Sequence, residues 1–142
     1  MEKTKDIVRK STPMNTNQSL DHETLSRIKS YEGKSRGEVR TRIEELDKEW
    51  DIERVIELNA AALALTGILL GKKDQRWTIL SGIVTSFLIQ HAVQGWCPPI
   101  PVFRAFGFRT SKEIQREKYI LKALLGDLKQ TDSVEALWKQ TN

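Results

Sequence analysis

Cys97 is the single cysteine of the chain, and His22 and His91 are its two histidines. One thiol excludes an internal disulfide and any zinc site built on cysteine pairs. His22 sits in a polar stretch and His91 in an apolar one, so the two imidazoles do not form a metal-ligand pair. Cys97, in Gly95-Trp-Cys-Pro98 directly after an apolar run, is a candidate reactive thiol that could be acylated or oxidised. No neighbouring His or Lys is set to lower its pKa, and the C-terminal end of a helix disfavours a thiolate. A structural role is the simpler expectation. His91 lies one turn before Gly95, between Gln90 and Gln94. Ionisable groups in apolar segments are functional suspects, and here polar pairing with Glu57 or Asn59 is the expected role. No catalytic constellation, cofactor motif or metal-ligand set is visible, so we expect a protein that is not an enzyme and carries no cofactor.

These residues must be positioned by two apolar segments, Val55 to Gly71 and Trp77 to Gly95, joined by the basic turn Gly71-Lys-Lys-Asp-Gln-Arg76. No Asp, Glu, Lys or Arg occurs from Leu58 to Gly71 or from Trp77 to Phe103, in a chain that is 30% charged. A membrane span needs about 20 apolar residues, with a lower limit of about 17, and both segments reach it. The polar residues Glu57, Asn59, Gln90, His91 and Gln94 gather at the end opposite the turn, where long side chains reach water. Trp77 and Trp96 mark the ends of the second segment, as interfacial aromatics do. Ala60, Ala64, Gly67 and Gly71 form a small-residue stripe suited to close helix packing. Thr66 is the only polar side chain from Ala61 to Leu70, so this helix must be covered on all sides by lipid or by a large protein core.

The expected class is all-α, a membrane helical hairpin of two transmembrane helices flanked by amphipathic helices. Residues 1–34 read as a mostly disordered polar tail, 35–54 as an amphipathic helix, 55–95 as the hairpin, and 96–142 as a Pro-rich exit loop and C-terminal amphipathic helices. Within the tail, Asp21 to Lys29 reads as a short helix with Leu25 and Ile28 inward. Ser35-Arg-Gly-Glu38 fits a capping box, followed by Val39, Ile43, Leu46 and Trp50 on one face. Nothing from Trp50 to Val55 breaks a helix, so this one runs into the first span or bends there. Pro98, Pro99 and Pro101 end the second span. Val102, Phe103, Phe106 and Phe108 read as an interfacial segment with its rings at the headgroup boundary, and Arg104 and Arg109 toward phosphate. Thr110-Ser-Lys-Glu113 is a second capping box, before a helix with Ile114, Leu121, Leu124, Leu125 and Leu128 on one side. A last short helix covers Ser133 to Gln140.

The net charge is +4 and the pI about 9.3, which suits an anionic membrane surface. Basic residues are interleaved with acids, so nucleic acid is not an expected partner. Near the spans, nine Lys and Arg flank the ends and three lie in the turn, which favours cytoplasmic termini. Expected partners are membrane lipids, and a second copy or another protein through the small-residue face. The alternative is a soluble or peripheral all-helical interaction module, and a thiol enzyme or sulfur carrier centred on Cys97 ranks last.

At Asp51-Ile-Glu-Arg-Val-Ile-Glu-Leu-Asn59, the Gly-containing turn and Gly95-Trp-Cys-Pro98, with Gly107 and Thr110 after them, the chain resembles the YgaP-like transmembrane family. The likeness covers roughly residues 51–110. It implies a two-helix domain of the bacterial inner membrane, known as the membrane part of a rhodanese. Members place a second basic residue where this chain has Glu57, and their stretch from the Cys to the following Gly is shorter than Cys97 to Gly107. The Cys-x-x-Gly-x-Arg loop of the rhodanese is absent, so sulfur transfer is not implied.

Overall fold

The computed structural model describes residues 6–126, which contain seven helices and no strand. They are α1 (Ile7–Lys10), α2 (Met14–Ser30), α3 (Arg36–Lys48), α4 (Ile52–Gly71), α5 (Arg76–Gln94), α6 (Ile100–Ala105) and α7 (Ser111–Leu124). The helix expected over Ser133 to Gln140 lies outside the described residues. The chain divides into two units: one holds the chain up to Leu20 with Trp50–Ser111, the other Asp21–Glu49 with the chain from Lys112.

In the first unit, α4 and α5 form an antiparallel hairpin around the turn at Lys72 to Gln75. Its seam is set by residue size. A Cβ on Gly67 would lie 2.3 Å from Ser81 Oγ and 2.8 Å from the Trp77 carbonyl oxygen, so only glycine permits this approach. One turn on, a Cβ on Gly71 would meet Thr78 Oγ1 at 2.6 Å. Ser81 Oγ donates to the Ala64 carbonyl at 2.8 Å, a hydrogen bond between the helices that the small residues make possible. The face expected to receive a second copy or a partner is therefore occupied at Gly67 and Gly71 by α5 of the same chain.

Beyond the seam the hairpin turns its apolar side chains outward. Leu58, Leu63, Leu65, Ile68 and Leu69 on α4, and Trp77, Ile79, Ile83, Phe87, Ile89 and Val93 on α5, are all exposed. One stretch among the described residues, within Arg36–Gly71, is long and apolar enough to cross a membrane, and only 17% of it is buried inside the protein. Helix α5 does not reach the same apolarity, because Thr78, Ser81, Thr85, Ser86, Gln90 and His91 interrupt it.

The base of the hairpin is a small core of Val8, Ile52, Ile56, Cys97 and Ile100, with Trp96, Phe103 and Phe108 packed against it. Residues 1–34 were expected to be mostly disordered; α1 and α2 replace most of that tail. The physical reason is one well-placed apolar residue and several polar ones: Val8 enters this core, and Asp6 caps α1 by accepting from the Arg9 amide at 3.0 Å. Within α2, Ile28 is buried as expected, but Leu25 is exposed. Gly95 ends α5 with φ +68, and a Cβ there would crowd the Ile7 side chain at 3.1 Å. The exit segment is also more regular than expected. Pro99 and Pro101 start α6 rather than merely ending α5, since a first helical turn has no use for their missing N–H groups.

Helix α3 does not run into α4. Glu49 and Asp51 are extended, and Asp51 caps α4 by accepting from the Arg54 amide at 2.9 Å. Trp50 consequently leaves the apolar face of α3; it is exposed, with the Arg54 guanidinium 4.9 Å from its ring centre.

In the second unit, Val39, Leu46, Ile114, Leu121 and Leu125 form the core, with Tyr31 and Ile43 beside it. Leu124 is exposed. Ser35 and Glu38 make both halves of the capping box, and the Ser35 hydroxyl and amide hold the Glu38 carboxyl below its usual pKa. Glu117 is fully buried and accepts from Arg42 Nη2 at 3.1 Å, with Arg27 Nε at 3.6 Å. Two cations around one buried carboxylate offset its desolvation. Lys118 pairs with Asp47 at the surface.

Candidate functional site

The residues with chemical potential collect at the base of the hairpin, where α4 begins and α5 ends. Cys97 is 2% exposed. Burial pushes its thiol above the usual range, against a smaller opposing effect from the Ile100 backbone. A raised pKa and enclosure both disfavour the thiolate, and the side chain packs in the base core.

Arg104 and Arg109 were expected to face lipid phosphate. Both are buried instead, Arg104 to 1% exposure. Arg104 Nη1 donates to the Phe108 carbonyl at 3.1 Å and Nη2 to Asn17 Oδ1 at 2.8 Å. Asn17 in turn donates to the Arg9 carbonyl at 2.8 Å. Thr110 Oγ1 donates to Asp6 Oδ2 at 3.1 Å, and the Ile52 amide to the Arg109 carbonyl at 2.9 Å. The network clamps the N-terminal segment onto the chain that leaves α6. Sequence reading missed it because its partners are 87 and 104 residues apart.

A lysine cannot reproduce the planar fork at Arg104. We expect Arg104→Lys to cost about 1.5–3 kcal/mol, the range for a hydrogen bond to a charged group. Tryptic cleavage after Arg9 or Lys10 should accelerate in this variant, and an unchanged rate would contradict the clamp.

Of the four residues read as interfacial, Phe103 and Phe108 turn inward and their rings meet edge to face, with centroids 6.1 Å apart. Val102 and Phe106, four residues apart, remain exposed. Glu53 accepts from the Ser111 amide at 3.3 Å. Burial raises its pKa, with Asp51 and Asp6 adding to the shift.

The register that sets Gly67 beside Ser81 places Glu57 level with His91, but no hydrogen bond among the described residues joins Glu57, Asn59 and His91. Glu57 is on the exposed side of α4, and Asn59 turns its amide back to the Val55 carbonyl at 2.8 Å. His91 Nδ1 is buried without a hydrogen-bond partner. No group of three or more His, Cys, Asp or Glu able to hold a metal occurs among the described residues.

Ala64, Gly67 and Gly71 line the tight seam, whereas Ala60 faces a cavity of about 200 Å³. Its wall is made by α4, α5, Cys97, Pro99 and Phe103, and Asn59 and Cys97 supply its only side-chain heteroatoms.

No protein-family model matches the chain, and neither a curated protein nor a solved structure does. The likeness to the YgaP-like family thus rests on the residues quoted for it.

Proposed function

We propose that the chain is a small, non-enzymatic integral membrane protein whose α4–α5 hairpin crosses the bilayer twice. It acts as an anchor or scaffold, with its flanking helices offered to a protein partner. The observation that carries this reading is the outward-facing apolar surface of both hairpin helices. A core helix of a soluble protein would bury that surface; here most of it has no protein cover.

Helix length supports the reading. The stretch from Val55 to the end of α4 at Gly71 and the 19 residues of α5 rise about 1.5 Å each, at the short end of what a hydrocarbon thickness of about 30 Å requires. Four hydroxyls of the hairpin, one on α4 and three on α5, are satisfied within it. Thr66, Thr85 and Ser86 hydroxyls each donate to the carbonyl four residues back, and Ser81 donates across the seam. Such groups need no water. The turn carries Lys72, Lys73, Asp74 and Arg76, all exposed. A hairpin ending inside the bilayer would bury these charges at a cost of about 2.5–3.5 kcal/mol for each Lys, Arg or Asp, so spanning is favoured over a re-entrant loop.

The charge asymmetry favours both termini in the cytoplasm and the turn outside, and the YgaP-like resemblance implies a bacterial inner membrane. To test this, Asp74→Cys in a Cys97→Ser background is treated with a membrane-impermeant maleimide on intact spheroplasts. Labelling is expected; labelling only after the membrane is broken would reject the topology. The alternative, a soluble or peripheral helical interaction module, draws on the polar residues of α5 and needs a partner that covers the hairpin.

A further inference from the structure

We propose that the cavity beside Ala60 binds one acyl chain of a bilayer phospholipid, an inference that rests on the hairpin being embedded in a membrane. The cavity measures about 200 Å³, and an apolar cavity of about 150 Å³ is large enough to take a benzene-sized molecule. It therefore holds a run of several methylene groups.

Wall chemistry selects the occupant. A buried water needs about two to four polar partners. Asn59 donates one amide hydrogen to the Val55 carbonyl, and besides the rest of that amide the side chains of the wall offer water only the Cys97 thiol, a weak partner. The space is unsuited to water and suited to hydrocarbon.

Its mouth decides where that hydrocarbon comes from. Leu63 and Phe87 line the cavity and are also exposed on the outer face of the hairpin. The cavity is thus continuous with the surface that meets lipid, and a chain enters sideways without crossing water. Pro99 and Phe103 close it toward the base.

The test uses the full chain purified from membranes in mild detergent, with native mass spectrometry reading bound lipid. Wild type should retain a phospholipid, and Ala60→Phe should retain it about tenfold less, the equivalent of about 1.4 kcal/mol. Ala62→Phe, at an exposed position, should behave as wild type. Equal retention in Ala60→Phe, no retention in wild type, or a free fatty acid in place of the phospholipid would overturn the proposal.

A second measurement needs no substitution. Delipidation should speed the reaction of Cys97 with N-ethylmaleimide several-fold, and added dioleoylphosphatidylcholine should slow it again; an unchanged rate would overturn the proposal. Carbonate extraction run in parallel separates the two readings. Retention in membranes without bound phospholipid sinks the cavity proposal alone, and release with phospholipid still bound sinks the membrane reading.

Discussion

Leu65→Lys should abolish stable membrane integration. Leu65 lies near the middle of α4 and is 58% exposed. In water, lysine at such a site is neutral or favourable. At the centre of a bilayer it costs about 2.5–3.5 kcal/mol, equivalent to about a hundredfold shift in the insertion equilibrium. The integrated fraction after alkaline extraction measures this directly, with Leu65→Ala as the control that should remain integrated. A lysine variant that integrates as well as wild type would mean that this face never meets hydrocarbon.

The second large effect is expected at Gly67. Its would-be Cβ neighbours include the Trp77 carbonyl, which cannot rotate away, as well as Ser81 Oγ. Alanine must push the helices apart and disturb the Ser81 to Ala64 hydrogen bond. Overpacking of this kind costs about 1–3 kcal/mol, against a gain of about 1 kcal/mol in helix propensity. Gly67→Ala should therefore destabilise the hairpin. Gly71→Ala should be near neutral, because the close atom there is Thr78 Oγ1, which can turn, and the Thr78 backbone nitrogen is 3.6 Å away. Unfolding of the two variants in micelles gives the ranking; equal stabilities would contradict the seam.

What could be read from the sequence depended on how locally each feature is encoded. Uncharged runs and a basic turn mark the hairpin helices, because a helix in an apolar setting tolerates few charges anywhere along its length. The small-residue stripe was equally visible, but its partner was not. Nothing in the spacing of Ala60, Ala64, Gly67 and Gly71 says that Ser81 and Thr78 of the same chain fill it while Ala60 opens onto a cavity. The N-terminal segment was misread because its order comes from few contacts, Val8 in the base core and Asn17 and Asp6 in the clamp. Arg104 was misdirected for the same reason: an arginine among phenylalanines looks interfacial until a distant acceptor, here Asn17, draws it inward. The break at Glu49 to Asp51 had a local sign, since Asp51 is a good N-cap, but it stood among residues that also continue a helix.

The most direct test of the central claim is alkaline carbonate extraction of membranes from cells expressing the full chain. The hairpin reading predicts that the protein stays in the pellet with the lipid. Release into the supernatant would contradict it, and the exposed apolar face of α4 and α5 would then have to be covered by a protein partner.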